Sequence, residues 1–191
     1  MTLGEIASRL ASVRRDPGIV SEGHWASVAA ILRAGPRGPE LFYIRRAEHP
    51  EDPWSGHVAF PGGRRDPGDE SLLAAAIRET MEEVGLPLRP DALLARLPDL
   101  PAFMRTKRGK LHVAPFVFHL REEVSETLNR EVAGTVWVPL SDLESGLGKA
   151  TFAMTYENES FDLPYIELGP EKHRLWGMTY RMTETLLDAL R

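Results

Sequence analysis

Cysteine is absent from this chain of 191 residues, which excludes disulfide bonds, thiolate metal ligands and cysteine nucleophiles. Long apolar runs are also absent, because no stretch approaches the roughly 18 residues of a membrane-spanning helix. The first residues, "MTLGEIASRLASVRRDPG", lack the continuous apolar region of a signal peptide. We therefore expect a cytoplasmic protein that has no membrane partner.

The chain also lacks an excess of basic residues, since 23 lysines and arginines face 28 aspartates and glutamates, for a formal net charge of −5. Proteins that bind nucleic acid polymers present a basic surface to the phosphates, so we expect no such partner. The composition, 42% hydrophobic and 27% charged, is typical of a soluble globular protein, and the length fits one domain spanning 1–191. A homodimer remains open.

Hydrophobic periodicity predicts most of the regular structure. Leu3, Ile6, Leu10 and Val13 recur at helical spacing and predict a helix over 3–15, within an N-terminal helical extension at 1–18. Strands are predicted at 25–33, 41–47, 92–97, 111–120, 134–138, 151–156 and 161–168. Further helices or helical turns are predicted at 70–84, 141–147 and 176–191. Strands and helices in this order favour a mixed α/β (α+β) sandwich.

The stretch "RETMEEVGL" at 78–86 places three glutamates on one edge of the helix predicted over 70–84. A helix turns by about 100° per residue, so residues three and four apart share a face. The stripe expected to face the core consists of Leu73, Ile77, Thr80 and Val84. The stripe on nearly the opposite side consists of Glu79, Glu82 and Glu83, with Arg78 on its flank. Gly85 and Pro87 end the helix.

Two interpretations of the glutamate stripe remain open from the helix alone. Like charges at this spacing repel each other, and exposure to solvent would relieve the repulsion. A hard divalent cation such as Mg²⁺, which prefers carboxylate oxygens, would relieve it as well. The preceding loop, "FPGGRRDPGD", contains adjacent glycines, which allow backbone atoms to approach a ligand closely. A glycine-rich turn that leads into a helix is also a common phosphate site.

Together the loop and the helix resemble the Nudix box, whose pattern is a glycine, a glutamate, and then Arg-Glu-x-x-Glu-Glu-x-Gly with an apolar residue. The matching unit spans 60–86. Its matching residues are Glu70, Arg78, Glu79, Glu82, Glu83, Gly85 and Leu86. Thr80 replaces a residue that is usually aliphatic, and six residues instead of five separate Gly63 from Glu70.

The lengthened loop is similar to that of the coenzyme A diphosphatase subgroup, whose pattern is FPGG-x-x-Asp-x-x-Asp. The matching positions are Phe60, Pro61, Gly62, Gly63, Asp66 and Asp69, with Gly56 upstream and "WGMT" at 176–179. Asp52 stands where the subgroup carries an arginine. Coenzyme A or a derivative is therefore one expected substrate, and ADP-ribose or another nucleotide is the alternative. A Nudix-fold ligand sensor without turnover is the rival from another class.

The resemblance implies a Nudix-type α/β/α sandwich with a mixed β-sheet. It also implies hydrolysis of the diphosphate linkage of a small nucleoside diphosphate derivative, with Mg²⁺ or Mn²⁺ as cofactor. The implied metal ligands are Glu79, Glu82, Glu83 and the carbonyl group of Gly63. Arg78 would hold these glutamates by ion pairing, and Glu70 would cap the helix or support the site.

Residues outside the helix complete the expected site. A further catalytic carboxylate is expected from another segment, and Glu131 is the candidate because it precedes a strand. Its competitors are Glu122, Glu123 and Glu126, and a plain surface loop is the alternative. Substrate contacts are expected from Gly62, Gly63, His57, Arg105 and Arg108. The two arginines belong to a basic turn at 104–112, which is otherwise a solvated turn.

Overall fold

Runs rich in β-branched and aromatic residues form strands wherever their alternation allows one face to be buried. The computed structural model describes residues 1–19, 23–49, 55–102, 111–146, 148–156, 159–169 and 171–191. Its helices are α1 (Leu3–Leu10), α2 (Leu72–Val84), α3 (Leu140–Ser145) and α4 (Gly177–Ala189). Its strands are β1 (His24–Gly35), β2 (Gly38–Arg46), β3 (Val58–Ala59), β4 (Gly62–Arg64), β5 (Leu93–Arg96), β6 (Leu100–Pro101), β7 (Leu111–His119), β8 (Val132–Pro139), β9 (Lys149–Tyr156), β10 (Glu159–Leu168) and β11 (His173–Trp176).

The larger sheet is mixed, because β1 runs parallel to β7 and antiparallel to β2. Strand β8 pairs with the outer side of β2, while β5 and β6 pair with β7. Strands β1 and β2 are paired next to their hairpin turn, from Leu32↔Leu41 to Gly35↔Gly38, and diverge beyond it. The segment 58–64 fills the gap, with β3 on β2 and β4 on β1. The diglycine turn is therefore held inside the sheet.

Helices cover both faces of this sheet. Successive strand residues point to opposite faces, so Ile31 and Phe42 pack against α2, while Leu32 and Tyr43 pack in the core that contains α1 and α4. The predicted α/β/α sandwich with a mixed sheet is confirmed. A smaller antiparallel sheet, ordered β11-β10-β9, contributes Ile166, Leu168 and Leu175 to the core on the α4 side.

The helix predicted over 3–15 ends earlier, at Leu10. The residues beyond it bind other elements instead of continuing the helix. The Arg14 carbonyl accepts a hydrogen bond from the backbone N–H of Arg96, and the Gly18 carbonyl accepts one from Leu72. Val13 continues the helical spacing but packs against the core from a turn. Tertiary hydrogen bonds therefore override the periodicity after Leu10.

The other predicted helices and strands are present, with ends that differ by up to three residues. The short strands β3, β4, β6 and β11 were not predicted, because two to four residues cannot show an alternating pattern. Within the described ranges, none of the helices combines the length and the apolar character required to cross a bilayer.

Candidate metal and diphosphate site

Helix α2 is fixed at both ends. The Ser71 hydroxyl accepts a hydrogen bond from the backbone N–H of Ala74 at 3.1 Å, and Gly85 ends the helix in the left-handed conformation at φ 69°. The buried residues of the helix anchor it to the sheet and include Leu72, Leu73, Ala76, Thr80 and Val84. The expectation that Glu70 caps the helix is wrong, because Ser71 is the cap and Glu70 is exposed on the surface.

The three glutamates of α2 occupy three different environments. Glu83 is only 4% exposed, whereas the side chains of Glu79 and Glu82 are 19% and 56% exposed. The loop 126–131 covers the end of the helix at Glu83 and Val84. The backbone N–H of Asn129 donates to the Glu83 carbonyl at 3.0 Å, and that of Thr127 donates to the Val84 carbonyl at 2.8 Å. A solvated face therefore describes Glu82 but not Glu83.

Glu83 faces the diglycine turn. Its carboxylate accepts a hydrogen bond from the backbone N–H of Gly62 at 2.8 Å. Burial raises the pKa of Glu83 to about 7, which the Gly62 hydrogen bond only partly opposes. The negative charges of Glu79 and Glu131 raise this pKa further, and the positive charge of Arg46 lowers it. A carboxylate in such a place gains from any bound cation.

Arg78 is the hub of the charged side chains. It donates to Glu79 at 3.0 Å and to Glu82 at 3.2 Å, so the expected ion pairs form with these two glutamates, whereas Glu83 is bound by the Gly62 N–H. Its strongest contact is with Asp69, whose two carboxylate oxygens each accept a guanidinium hydrogen bond at 2.9 Å. This bidentate pair raises the pKa of Arg78 and lowers that of Asp69.

Asp69 is a buried residue that was not among the predicted site residues. Its carboxylate also accepts a hydrogen bond from the backbone N–H of Asp66 at 2.8 Å, which closes the lengthened loop on itself. The signal was present in the spacing Asp66-x-x-Asp69, which the subgroup resemblance includes. The aspartate of the loop therefore fixes Arg78, and Arg78 fixes the two outer glutamates.

The two glycines of the turn are required for different reasons. Gly62 has φ 146°, and a Cβ there would overlap the Ser27 carbonyl and lie 2.6 Å from the Cα of Val28. At Gly63 a Cβ would lie 2.6 Å from the carboxylate carbon of Glu79. The first glycine lets the turn enter the sheet, and the second lets the backbone approach the carboxylates.

Glu131 is the candidate carboxylate from outside α2, and its negative charge raises the pKa of Glu83. Its carbonyl accepts a hydrogen bond from the backbone N–H of Ala47 at 2.7 Å, which ties the start of β8 to the end of β2. Glu126 instead accepts a hydrogen bond from the indole nitrogen of Trp137 at 2.7 Å, and Glu122 acts on the pKa of Arg89. Glu123 is exposed. Arg46, whose positive charge lowers the pKa of Glu83, was not among the predicted site residues.

The remaining predicted substrate contacts are His57, Arg105 and Arg108. The His57 ring packs edge-on against Trp176, with ring centroids 4.9 Å apart, and its carbonyl accepts from the backbone N–H of Arg46 at 3.0 Å. These contacts hold the loop that precedes β3. Arg105 and Arg108 lie outside the described residues, as does Asp52.

The glutamates of α2 provide the oxygen ligands that a divalent cation prefers, but their carboxylates are not gathered around one point. Across the described ranges, no three acidic or histidine side chains are close enough together to form a cation site. Arg78 draws Glu79 and Glu82 to itself, while Gly62 holds Glu83. Oxygen donors beside the diglycine turn nonetheless suit Mg²⁺ or Mn²⁺, and Glu82 keeps 56% of its side chain exposed while it pairs with Arg78.

Comparison with known proteins gives consistent results for sequence and fold. The family model described as NUDIX domain matches residues 23–157. The "Uncharacterized Nudix hydrolase NudL" of Yersinia enterocolitica is 36% identical over 143 residues, which cover 73% of this chain and 69% of the relative. The protein of the same name from Yersinia pestis (strain Pestoides F) is 33% identical over 134 residues, 63% of this chain and 64% of the relative.

Two solved structures share the fold at low sequence identity. A MutT/nudix family protein from Enterococcus faecalis superposes with a TM-score of 0.57 and 14% identity, covering 89% of this chain and 63% of the other. The NUDIX domain of Shewanella oneidensis NrtR, solved with ADP ribose, superposes with a TM-score of 0.52 and 21% identity. The match covers 73% of this chain and 86% of the other. With the match over 23–157 and the Yersinia relatives, the conclusion is that this chain belongs to the Nudix hydrolase family, a family of pyrophosphohydrolases.

Proposed function

We propose that this chain is a divalent-cation-dependent hydrolase that cleaves the diphosphate linkage of a nucleoside diphosphate derivative. The observation that carries the proposal is the buried Glu83, which lies between the diglycine turn and the charges of Glu79 and Glu131. Burying a carboxylate beside others is unfavourable unless a cation joins them. The arrangement is therefore better suited to binding a cation than to stabilising an empty fold.

The proposed ligands are Glu79, Glu82, Glu83 and the carbonyl group of Gly63, and the proposed cation is Mg²⁺ or Mn²⁺. When bound, the cation would neutralise the diphosphate and lower the pKa of the attacking water. Arg78 stays attached to Asp69 through two hydrogen bonds, so it can release Glu82 without leaving the site. Glu131 would orient or deprotonate the water.

Coenzyme A or a derivative is the first substrate to test. This choice of substrate is supported by the lengthened loop, in which both aspartates of the subgroup pattern make contacts that hold the loop and Arg78. Asp69 binds Arg78, and Asp66 closes the loop on Asp69 and lies 3.8 Å from Arg78. ADP-ribose is the second substrate to test, since the Shewanella oneidensis domain of the same fold was solved with it. Gly62, His57, Arg105 and Arg108 remain the proposed substrate contacts.

The decisive experiment is a substrate panel with each of the two metals. It contains coenzyme A, an acyl-coenzyme A, ADP-ribose, a dinucleotide and an oxidised nucleoside triphosphate. Glu82→Gln should lower kcat by about 100-fold or more, because losing a ligand costs more than losing a residue that supports one. Glu144→Gln, at an exposed position of α3, is the matched control.

Thermal unfolding of both variants shows whether the fold persists. Wild-type rates in Glu82→Gln would remove that residue from the metal site. Tight binding of a panel member without turnover, with either metal, would favour the ligand sensor over the enzyme.

A further inference from the structure

A cavity of about 280 Å³ lies on the face of β2 that points away from α2. It is bounded by the end of β2, by β3 and the first half of β8, and by the turn between β10 and β11. Its lining includes Arg45, Val58, Gly134, Val136, Leu168 and His173. None of these residues belongs to the cation site described above.

The cavity lies at the same end of β2 as the glutamates. Arg45 and Arg46 are neighbours on this strand, and adjacent strand residues point to opposite faces. Arg45 lines the cavity and pairs in register with Val58 and Gly134, while the backbone N–H of Gly62, in the same segment as Val58, donates to the Glu83 carboxylate at 2.8 Å. Val58 precedes Gly62 by four residues, so their Cα atoms are at most about 14 Å apart. The diglycine turn therefore lies within about 14 Å of a residue that lines the cavity, which is close enough for one ligand to contact both.

The lining has the chemistry of a site for a flat ring with polar edges. Val58, Val136 and Leu168 provide an apolar wall. The polar lining residues include Arg45 and a hydrogen-bonded pair, His173 with Glu171 at 2.7 Å. A positive group suits an adjoining phosphate, while the His–Glu pair can exchange hydrogen bonds with ring nitrogens and amino groups. Small-molecule pockets usually measure about 300–1,000 Å³, so this one has room for a single ring system.

We propose that this cavity binds the nucleobase of the substrate, with Arg45 beside the phosphate nearest to it. The proposal rests on the diphosphate hydrolase function and adds the site that selects the nucleoside half. It also predicts that specificity is determined on the face of the sheet opposite to α2. Residues of β8 and of the β10–β11 turn would then select the base without touching the bond that is cleaved.

Gly134 provides the test, because a Cβ at this position would meet nothing within 4 Å and its φ is not in the left-handed region. Leucine at this position would fill the cavity without overlapping the backbone. Gly4→Leu is the matched control, at an exposed position of α1 where a Cβ would lie 3.9 Å from the Thr2 hydroxyl. Arg45→Gln removes the positive charge and the guanidinium while it keeps the aliphatic start of the side chain and a polar end.

Binding is measured by calorimetry in EDTA, so that it does not depend on metal or turnover. The probes are AMP, GMP, CMP and UMP, with ribose 5-phosphate as a probe without a base. Wild type and Gly4→Leu should bind at least one nucleotide about 10-fold more tightly than ribose 5-phosphate, a difference of about 1.4 kcal/mol. Gly134→Leu should abolish this preference at an unchanged Tm, and Arg45→Gln should weaken nucleotide and ribose 5-phosphate alike.

Two outcomes overturn the proposal: no preference for a nucleotide over ribose 5-phosphate in the wild type, or an unchanged preference in Gly134→Leu. The failure of the hydrolase function gives a different result, in which the panel substrates are not cleaved while nucleotide binding still responds to Gly134→Leu. Glu82→Gln, which should lack turnover, should bind the same nucleotide as the wild type.

Discussion

At the scale of single residues, three chemically identical glutamates of α2 differ because their neighbours differ. Glu82 keeps most of its contact with solvent, Glu79 shares Arg78, and Glu83 is enclosed by the diglycine turn and the loop 126–131. The pKa of Glu83 is raised to about 7 and that of Glu79 is raised as well, each chiefly by burial. The metal-free protein therefore holds carboxyl groups that bind protons more readily when folded.

We expect the free energy of unfolding of the metal-free protein to fall as pH rises from about 4.5 to about 7. In this window the folded state binds more protons than the unfolded state, so stability present at low pH is lost as Glu83 ionises. The loss should be roughly 1–3 kcal/mol, at about 1.4 kcal/mol per pKa unit. Glu79 acts in the same direction, whereas Asp69, whose pKa is lowered, loses its contribution only at more acidic pH.

Urea unfolding in EDTA at pH 5 and pH 7.5 measures this loss. The difference in the free energy of unfolding between the two pH values should be smaller in Glu83→Gln, because glutamine does not ionise. Mg²⁺ should restore stability to the wild type at pH 7.5. A wild-type stability that rises over this interval would contradict the assignment of Glu83 as a buried carboxyl group.

The two glycines of the turn should respond differently to alanine. Gly62→Ala should destabilise the fold by about 3 kcal/mol, since a Cβ would overlap the backbone of β1 and φ is 146°. Gly63→Ala should cost only about 1 kcal/mol, because the Cβ meets the mobile end of Glu79, but it should displace that carboxylate and lower kcat. Urea unfolding together with steady-state kinetics separates the two effects. Equal losses of stability would show that both glycines serve the fold alone.

At the scale of elements, the site is built where three segments meet. Helix α2 presents the glutamates, the segment 58–64 brings the diglycine turn between β1 and β2, and the loop 126–131 covers the end of the helix. Each segment is fixed by backbone hydrogen bonds, so the carboxylates are positioned by rigid parts of the fold. This favours precise placement of a cation and a diphosphate.

The loop 126–131 yields a prediction that distinguishes Glu131 from Glu122, an acidic residue that precedes the loop. Glu131→Gln should lower kcat by about 10-fold or more, because Glu131 is the carboxylate of this region whose charge reaches Glu83. Glu122→Gln should stay within about twofold of the wild type, as expected for an exposed surface substitution. Steady-state kinetics at saturating Mg²⁺ measures both. Equal effects in the two variants would exclude Glu131 as the additional catalytic carboxylate.

At the scale of the whole molecule, α1 is part of the main core and not a loose extension. Ile6 and Leu10 are fully buried in the same cluster as Leu186 and Leu190 of the C-terminal region, and Arg9 donates a hydrogen bond to the Leu190 carbonyl. The first and last helical segments therefore close the face of the sheet opposite to α2. Packing on this face stabilises the sheet that carries both the cavity and the diglycine turn.

Leu10→Ala should destabilise the protein by about 2–5 kcal/mol, as other buried leucine truncations do. Since Leu10 is remote from the glutamates, kcat measured well below the unfolding temperature should be unchanged. Ser8→Ala, on the exposed side of the same helix, is the control and should have little effect. Urea unfolding and kinetics on the same samples provide the measurement. A large fall in kcat of folded Leu10→Ala would link α1 to the site.

The sequence by itself determined the family and most of the elements. Helix α2 could be predicted because its apolar spacing, its C-terminal Gly85 and the Nudix pattern all agree in one short stretch. Long strands such as β1 and β7 could be predicted because their hydrophobic runs are continuous. These signals are local, so a linear pattern is enough to carry them.

Tertiary structure alone decided the electrostatics of the site and the position of the cavity. No pattern distinguishes Glu83 from Glu82, because burial depends on a loop some 40 residues later in the chain. The same is true of Asp69 as partner of Arg78, and of Arg45 and Gly134, which meet only through strand pairing. Burial, pKa and enclosure arise from contacts between distant segments, and a sequence read along its length does not specify which segments will touch.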